Sequence, residues 1–184
     1  MLYYSTAHKA ENMERCFFYR KVWVLFVSGY RTEAIGIIGA KVMQPRGLVG
    51  LSHDTLDCSV TEIRDLFDIL AEDDSYPTLI HCTQGKDRTG LIVVLLLFLT
   101  GVVSLDAISA DYMKSELELA PELEERMKEI RAFGLGEEYV KCPSTFTEQV
   151  KQYLDTMYGG VENYLQLIGI NKEKREKIRN RFLA

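Results

Sequence analysis

The apolar run YPTLI, from Tyr76 to Ile80, leads straight into His81 and Cys82, and a second apolar run, LIVVLLLFL, starts at Leu91. Only small or polar residues, Thr83 to Gly90, separate them. Two segments that both avoid water, joined by so short a polar link, must meet inside the same domain. The first reads as a short buried strand, TLIHC, and the second as a buried helix from Arg88 to about Leu99. The link is then a strand-to-helix junction, and its polar groups need partners at the edge of a core.

The rest of the chain supplies what such a junction packs against. VWVLFV (Val22–Val27) is β-branched and aromatic and predicts a second buried strand. SGYRTEAIGIIG predicts a short helix ending near Gly39. KVMQPRGLVGLSHDTLDCS, broken by Pro45, Gly47 and Gly50, reads as a loop. Ser59 and Glu62 form an S-x-x-E capping box, and Ile63, Leu66, Phe67 and Leu70 follow at helical spacing. Beyond Ser104 every segment carries a helical apolar stripe, punctuated by Gly101, Gly134, Gly159, Gly160 and Gly169. The basic run Lys172–Arg181 reads as a solvated helix face. The expectation is an α/β fold: a small, mostly parallel central sheet flanked by helices, with an all-helical C-terminal part over 104–184. All 184 residues are expected to form one domain, residues 1–20 being an irregular or locally helical leader.

Composition narrows the function classes. The net charge of −5 argues against a nucleic-acid-binding surface, so an anionic substrate has to be attracted locally. Cys16, Cys58, Cys82 and Cys142 lack C-x-x-C spacing, which disfavours a zinc site or a disulfide framework and suits a reducing compartment. Residues 1–21 are polar and mixed in charge, unlike a secretory signal. Leu91–Val103 falls short of the ~20 apolar residues that span a bilayer. A soluble cytoplasmic protein is expected, with neither nucleic acid nor integral membrane association.

The junction itself has a chemistry. Free N–H groups at a helix start, together with the helix dipole, make an anion site. Gly85 admits a close backbone approach, and the planar fork of Arg88 holds two phosphate oxygens. The donors that bind phosphate also stabilise a thiolate, so Cys82 becomes a nucleophile positioned to attack phosphorus. The competing reading is an inert packed cysteine. A Walker A loop is excluded, because GKD lacks the metal-binding hydroxyl of G-x4-G-K-[ST].

HCTQGKDRTG resembles H-C-x5-R-[ST]-G, the signature of the cysteine-dependent protein tyrosine and dual-specificity phosphatases. YPTLIHC, ISADYMKSE and the closing YGGVENYLQLIGI resemble the fungal and bacterial tyrosine phosphatase-like group, a similarity spanning about residues 22–170. The resemblance implies a phosphocysteine intermediate on Cys82, with Arg88 on the phosphoryl oxygens. Backbone N–H groups of Thr83, Gln84, Gly85, Lys86, Asp87 and Arg88 would form the cradle. Thr89 would donate to the sulfur and His81 would orient the loop. It implies an aspartate as general acid: Asp54, with Asp57 as second choice and Asp87 as third. No metal or organic cofactor is implied. The substrate expected is a phosphorylated protein. Lys86 inside the loop opens the alternative of a phosphoinositide or inositol phosphate, and a phosphate-binding module without turnover is the reading from another class. The group's earlier R-S segment and DLRS-like strand end are absent, and GYRTEAI matches them only in part. Two readings follow: an N-terminally shortened phosphatase-like fold with missing edge strands and exposed apolar surface, or a first 20 residues that form a divergent substitute. Cys58 reads as a packed residue at a helix start, or as a thiol that traps oxidised Cys82.

Overall fold

The computed structural model describes residues 17–183. They fall into two compact units, one comprising residues 17–46 with 123–140 and the other 47–122 with 141–183. No strand occurs among the described residues, so the expected central sheet is not formed. A strand cannot satisfy its own backbone; it needs a neighbour to bond with. The two candidate strands lie in different units and no ladder joins them. Residues 17–27, which include VWVLFV, close their hydrogen bonds internally as helix α1. Their β-branched and aromatic content is a preference for a pleated surface, and without such a surface it decides nothing. Residues 78–82 carry no regular secondary structure, and Leu79 is 84% exposed.

In the first unit, α2 (Arg31–Ile38) continues into a π-helical turn, Gly39–Met43. The chain after α7 (Leu123–Ala132) crosses this turn backbone to backbone. A Cβ on Gly39 would fall 1.7 Å from the Phe133 carbonyl oxygen, so only glycine fits there. Gln44 fastens the same region: its Oε1 accepts from the Gly136 N–H at 2.7 Å, and its amide donates to Glu138. The Tyr139 hydroxyl donates to the Met43 carbonyl.

The segment expected as a loop is largely helical: α3 covers Gln44–Cys58. Pro45 sits in the first turn, where no intrahelical N–H is required of it. Gly47, at φ 61° and ψ 176°, breaks the helix there, at the boundary between the units. In the second unit, α4 (Val60–Ala71) starts directly after Ser59 as the capping pattern predicts, but the Ser59 side chain makes no capping hydrogen bond. α5 (Asp87–Thr100) is apolar on all sides and buried in the core with Leu91, Leu95 and Leu99. Around it stand α6 (Leu105–Glu118), α8 (Phe146–Tyr158), α9 (Val161–Leu167) and α10 (Lys172–Leu183). The chain from 104 onward is helical apart from its connections, as its stripes and glycines indicate.

The basic run of α10 is not a solvated face. Arg179 Nε donates to the Leu99 carbonyl at 2.8 Å and Arg181 Nη1 to the Glu72 carbonyl at 2.8 Å, supplying acceptors left open at the ends of α5 and α4. Arg175 is buried, with its Nε 2.9 Å from Glu162 Oε2. Lys174 and Lys177 pair with Asp68 and Asp73 at 2.8 and 3.0 Å. The apolar stripe predicted a helix, but the charges were recruited by carbonyls and carboxylates distant in sequence.

Phe67 is fully buried at the centre of this core. Phe67→Ala is expected to lower the unfolding free energy by about 3–5 kcal/mol. Urea denaturation checks it, with Ile69→Ala as the control, because Ile69 is on the exposed side of the same helix. No helix among the described residues is long and apolar enough to cross a membrane.

Candidate active site

The loop from Cys82 to Lys86 feeds the N-terminus of α5, whose N-cap residue is Lys86. Gly85 makes the turn at φ 68°, a left-handed conformation that side chains with a Cβ avoid. The backbone N–H groups of Gln84, Gly85 and Thr89 are thereby turned toward the Cys82 sulfur. Partial burial pushes this thiol up; the Thr89 hydroxyl and those three N–H groups outweigh it and bring the pKa down from 9.0 to about 7. The Thr89 hydroxyl is buried and has no hydrogen-bonded nitrogen or oxygen partner among the described residues. It is therefore free to serve the sulfur.

Arg88 is exposed at the first turn of α5 and reaches back over the loop, with Nη2 donating to Thr83 Oγ1 at 3.1 Å. His81 is exposed, with Nδ1 3.3 Å from the Cys82 carbonyl oxygen. Cys82, Thr83, Gln84, Gly85, Arg88 and Thr89 are thus brought together at the start of α5.

Lys86 is placed differently from a residue that faces substrate. Its side chain is 0% exposed; Nζ donates to the Lys141 carbonyl at 2.8 Å and lies 2.8 Å from Asp87 Oδ1. The pair ties the loop to the chain entering α8. Behind it stands Tyr112 of α6, buried, its ring stacked on Phe146 with centroids 4.4 Å apart. A Cβ on Gly90 would come within 3.0 Å of that ring, so the tyrosine supports the first turn of α5 directly. The Cys142 N–H donates to Glu116 at 2.6 Å, and burial pushes the Cys142 thiol up. A cavity of about 100 Å³ lies beside the loop, with Gly85, Thr89 and Gly90 on one wall and Asp111, Tyr112 and Ser115 on the other. Sequence reasoning assigned no role to Tyr112 or Lys141. The sign available was Lys86 directly beside Asp87 in the loop.

The three acid candidates stand apart. Asp87 is engaged with Lys86. Asp57, near the end of α3, accepts from the Tyr153 hydroxyl at 2.7 Å and, on its other oxygen, from the Tyr158 hydroxyl. Asp54 is half-buried one turn earlier on the same helix. Neighbouring His53 stacks on Tyr153 at 3.9 Å, which fixes this helix against α8. Cys58 is exposed, so it is not the packed residue expected at that position. Among the described residues no three His, Cys, Asp or Glu side chains are grouped to hold a metal.

The sequence profile described as the tyrosine phosphatase family matches residues 41–184. The chain is 31% identical over 124 residues to the triple specificity protein phosphatase PtpB of Mycobacterium tuberculosis, covering 59% of this chain and 44% of that protein. It is 28% identical over 138 residues to a tyrosine-protein phosphatase of Nostoc commune, covering 67% and 45%. To a putative tyrosine-protein phosphatase of Cupriavidus necator it is 30% identical over 92 residues, covering 48% and 33%. The chain spans less than half the length of these relatives.

Proposed function

Because the chain belongs to the tyrosine phosphatase family, we propose that it hydrolyses phosphate monoesters through a covalent intermediate on Cys82. The observation that carries the reading is the thiol itself, held at a pKa of about 7 by hydroxyl and amide donors at a helix N-terminus. Near neutral pH about half of such a thiol is ionised. The thiolate attacks phosphorus, the S–P bond forms, and the bond from phosphorus to the ester oxygen breaks. The departing oxygen takes a proton from Asp54. Water then attacks the phosphocysteine, the S–P bond breaks, inorganic phosphate leaves, and Asp54 receives the proton from the water. Arg88 and the loop amides follow the charge on the equatorial oxygens through both steps. Thr89 stabilises the sulfur as it departs.

We assign the acid role to Asp54 on the family resemblance; Asp57 accepts from tyrosine hydroxyls on both oxygens, and Asp54 is engaged as well. Asp54→Asn is expected to lower kcat on phosphotyrosine peptide about 100-fold, and to lower it far less on para-nitrophenyl phosphate, whose leaving group needs no proton. Asp57→Asn should leave kcat within a few-fold and lower the unfolding midpoint instead. Reversal of these two results assigns the acid to Asp57.

The substrate class is phosphoprotein, with phosphotyrosine first and phosphoserine or phosphothreonine second, in a cytoplasmic setting. The argument for inositol polyphosphates rests on a cationic Lys86 in the cup, and a buried ammonium bonded to a carbonyl does not supply it. Phosphate release from phosphotyrosine peptide, phosphoserine peptide and inositol phosphates, measured in parallel, tests the order. Labelled phosphate trapped on Cys82 after brief exposure to substrate separates an enzyme from a binding module.

A further inference from the structure

Helix α1 has two apolar faces. Phe18, Val22 and Leu25 recur at spacing i, i+4, i+7 and are half-buried, so they form its inward stripe. The opposite side carries Tyr19, Trp23, Phe26 and Val27, each more than half exposed. Tyr30 follows just beyond the helix and is exposed as well. A contiguous aromatic patch of this kind on a folded surface marks a binding site.

The charges around the patch share one sign. Arg20 and Arg31 flank it, and no acidic residue occurs from Phe17 to Thr32, although the chain as a whole is at −5. Arg20 lies 5.9 Å from the centre of the Phe17 ring and Arg31 5.4 Å from that of Phe26, so guanidinium groups rest on the aromatic surface.

We propose that this face docks on an anionic lipid bilayer. Aromatic residues interleaved with Arg and Lys are the composition of a helix lying in the headgroup boundary. The described part of α1 is not long and apolar enough to cross a membrane, and the proposal lays it in the plane of the bilayer. Tyr19, Trp23, Phe26 and Val27 enter the acyl boundary, and Arg20 and Arg31 meet lipid phosphates. The sign of the local charge, opposite to that of the whole chain, favours lipid over a protein partner with an unremarkable surface.

Trp23 is the chain's single tryptophan, so its fluorescence reports on this face alone. The full chain is titrated with vesicles of phosphatidylcholine and with vesicles of phosphatidylcholine plus phosphatidylserine. The expected result is a blue-shifted emission and co-sedimentation with the phosphatidylserine vesicles, at least about tenfold tighter than with phosphatidylcholine and weakened by salt. Arg20→Glu should cost at least about tenfold in that binding while para-nitrophenyl phosphate hydrolysis stays unchanged. Absence of a shift with either vesicle overturns the proposal, and so does equal binding to both. A blue shift without vesicles that grows with protein concentration, with a dimer mass by light scattering, also overturns it and assigns the face to a second copy. Cys82→Ser should bind vesicles like the parent, so failure of docking and failure of the phosphatase reading are read separately.

Discussion

Cys82→Ser is expected to remove turnover of para-nitrophenyl phosphate by at least about 10⁴-fold while the protein stays folded, because a serine hydroxyl in this cup is not ionised near neutral pH and cannot replace the nucleophile. The unmodified thiol gives a matching signature. With its pKa lowered to about 7, alkylation of Cys82 by iodoacetamide should rise tenfold per pH unit below that value and level off above it. The sign follows from the donors: each hydrogen bond to sulfur favours the charged form, so protonation on lowering the pH costs reactivity. Cys58 is also exposed, so peptide mapping must follow each thiol separately. An alkylation midpoint near the 9.0 of an ordinary thiol would show that the loop amides do not reach the sulfur. Thr89→Val should raise the midpoint toward that limit, since its hydroxyl is the largest of the lowering influences. Retained turnover in Cys82→Ser would sink the covalent mechanism outright.

What the sequence made legible follows from how local the determining interactions are. The junction at Cys82 is local: Gly85, Arg88 and Thr89 lie within a few residues of the thiol, and the helix that follows builds the field. The helices after Ser104 are local too, because a stripe at helical spacing and a glycine stop are complete instructions over a short window. Strands are different. VWVLFV and TLIHC state only that a pleated neighbour would suit them, and the neighbour is decided elsewhere. The same holds for the side chains that hold the site from behind. Lys86 ends on a carbonyl 55 residues later in the chain, and Arg179 on one 80 residues earlier. Neither partner is a residue type; both are backbone oxygens, and no composition or spacing marks them. Pro45 misled for a further reason. Proline and glycine close together read as a loop, whereas proline in a first turn and glycine at a break are also how a helix begins and is interrupted.

Arg88→Ala is expected to lower kcat/KM by about 10³-fold, and Arg88→Lys by about 10²-fold. The guanidinium is exposed above the cup and braced at 3.1 Å by Thr83 Oγ1, a placement that leaves its other donors for an incoming anion. Two parallel N–H bonds fit two phosphoryl oxygens, and lysine keeps the charge but loses that fork. Charge spreads onto those oxygens most in the transition state, so the loss should fall more on kcat than on KM. The donors that set the Cys82 pKa are Thr89, Gln84 and Gly85, so the alkylation midpoint of Arg88→Ala should remain about 7 while turnover collapses. This separation distinguishes loss of an oxyanion donor from a general collapse of the loop, which would move both readings together. Thr83→Val should have a smaller effect, up to about tenfold, by releasing the brace and not the fork. If Arg88→Lys turned over like the parent, the arginine would be acting as a point charge, and the geometric match between the fork and phosphate would play no part in catalysis.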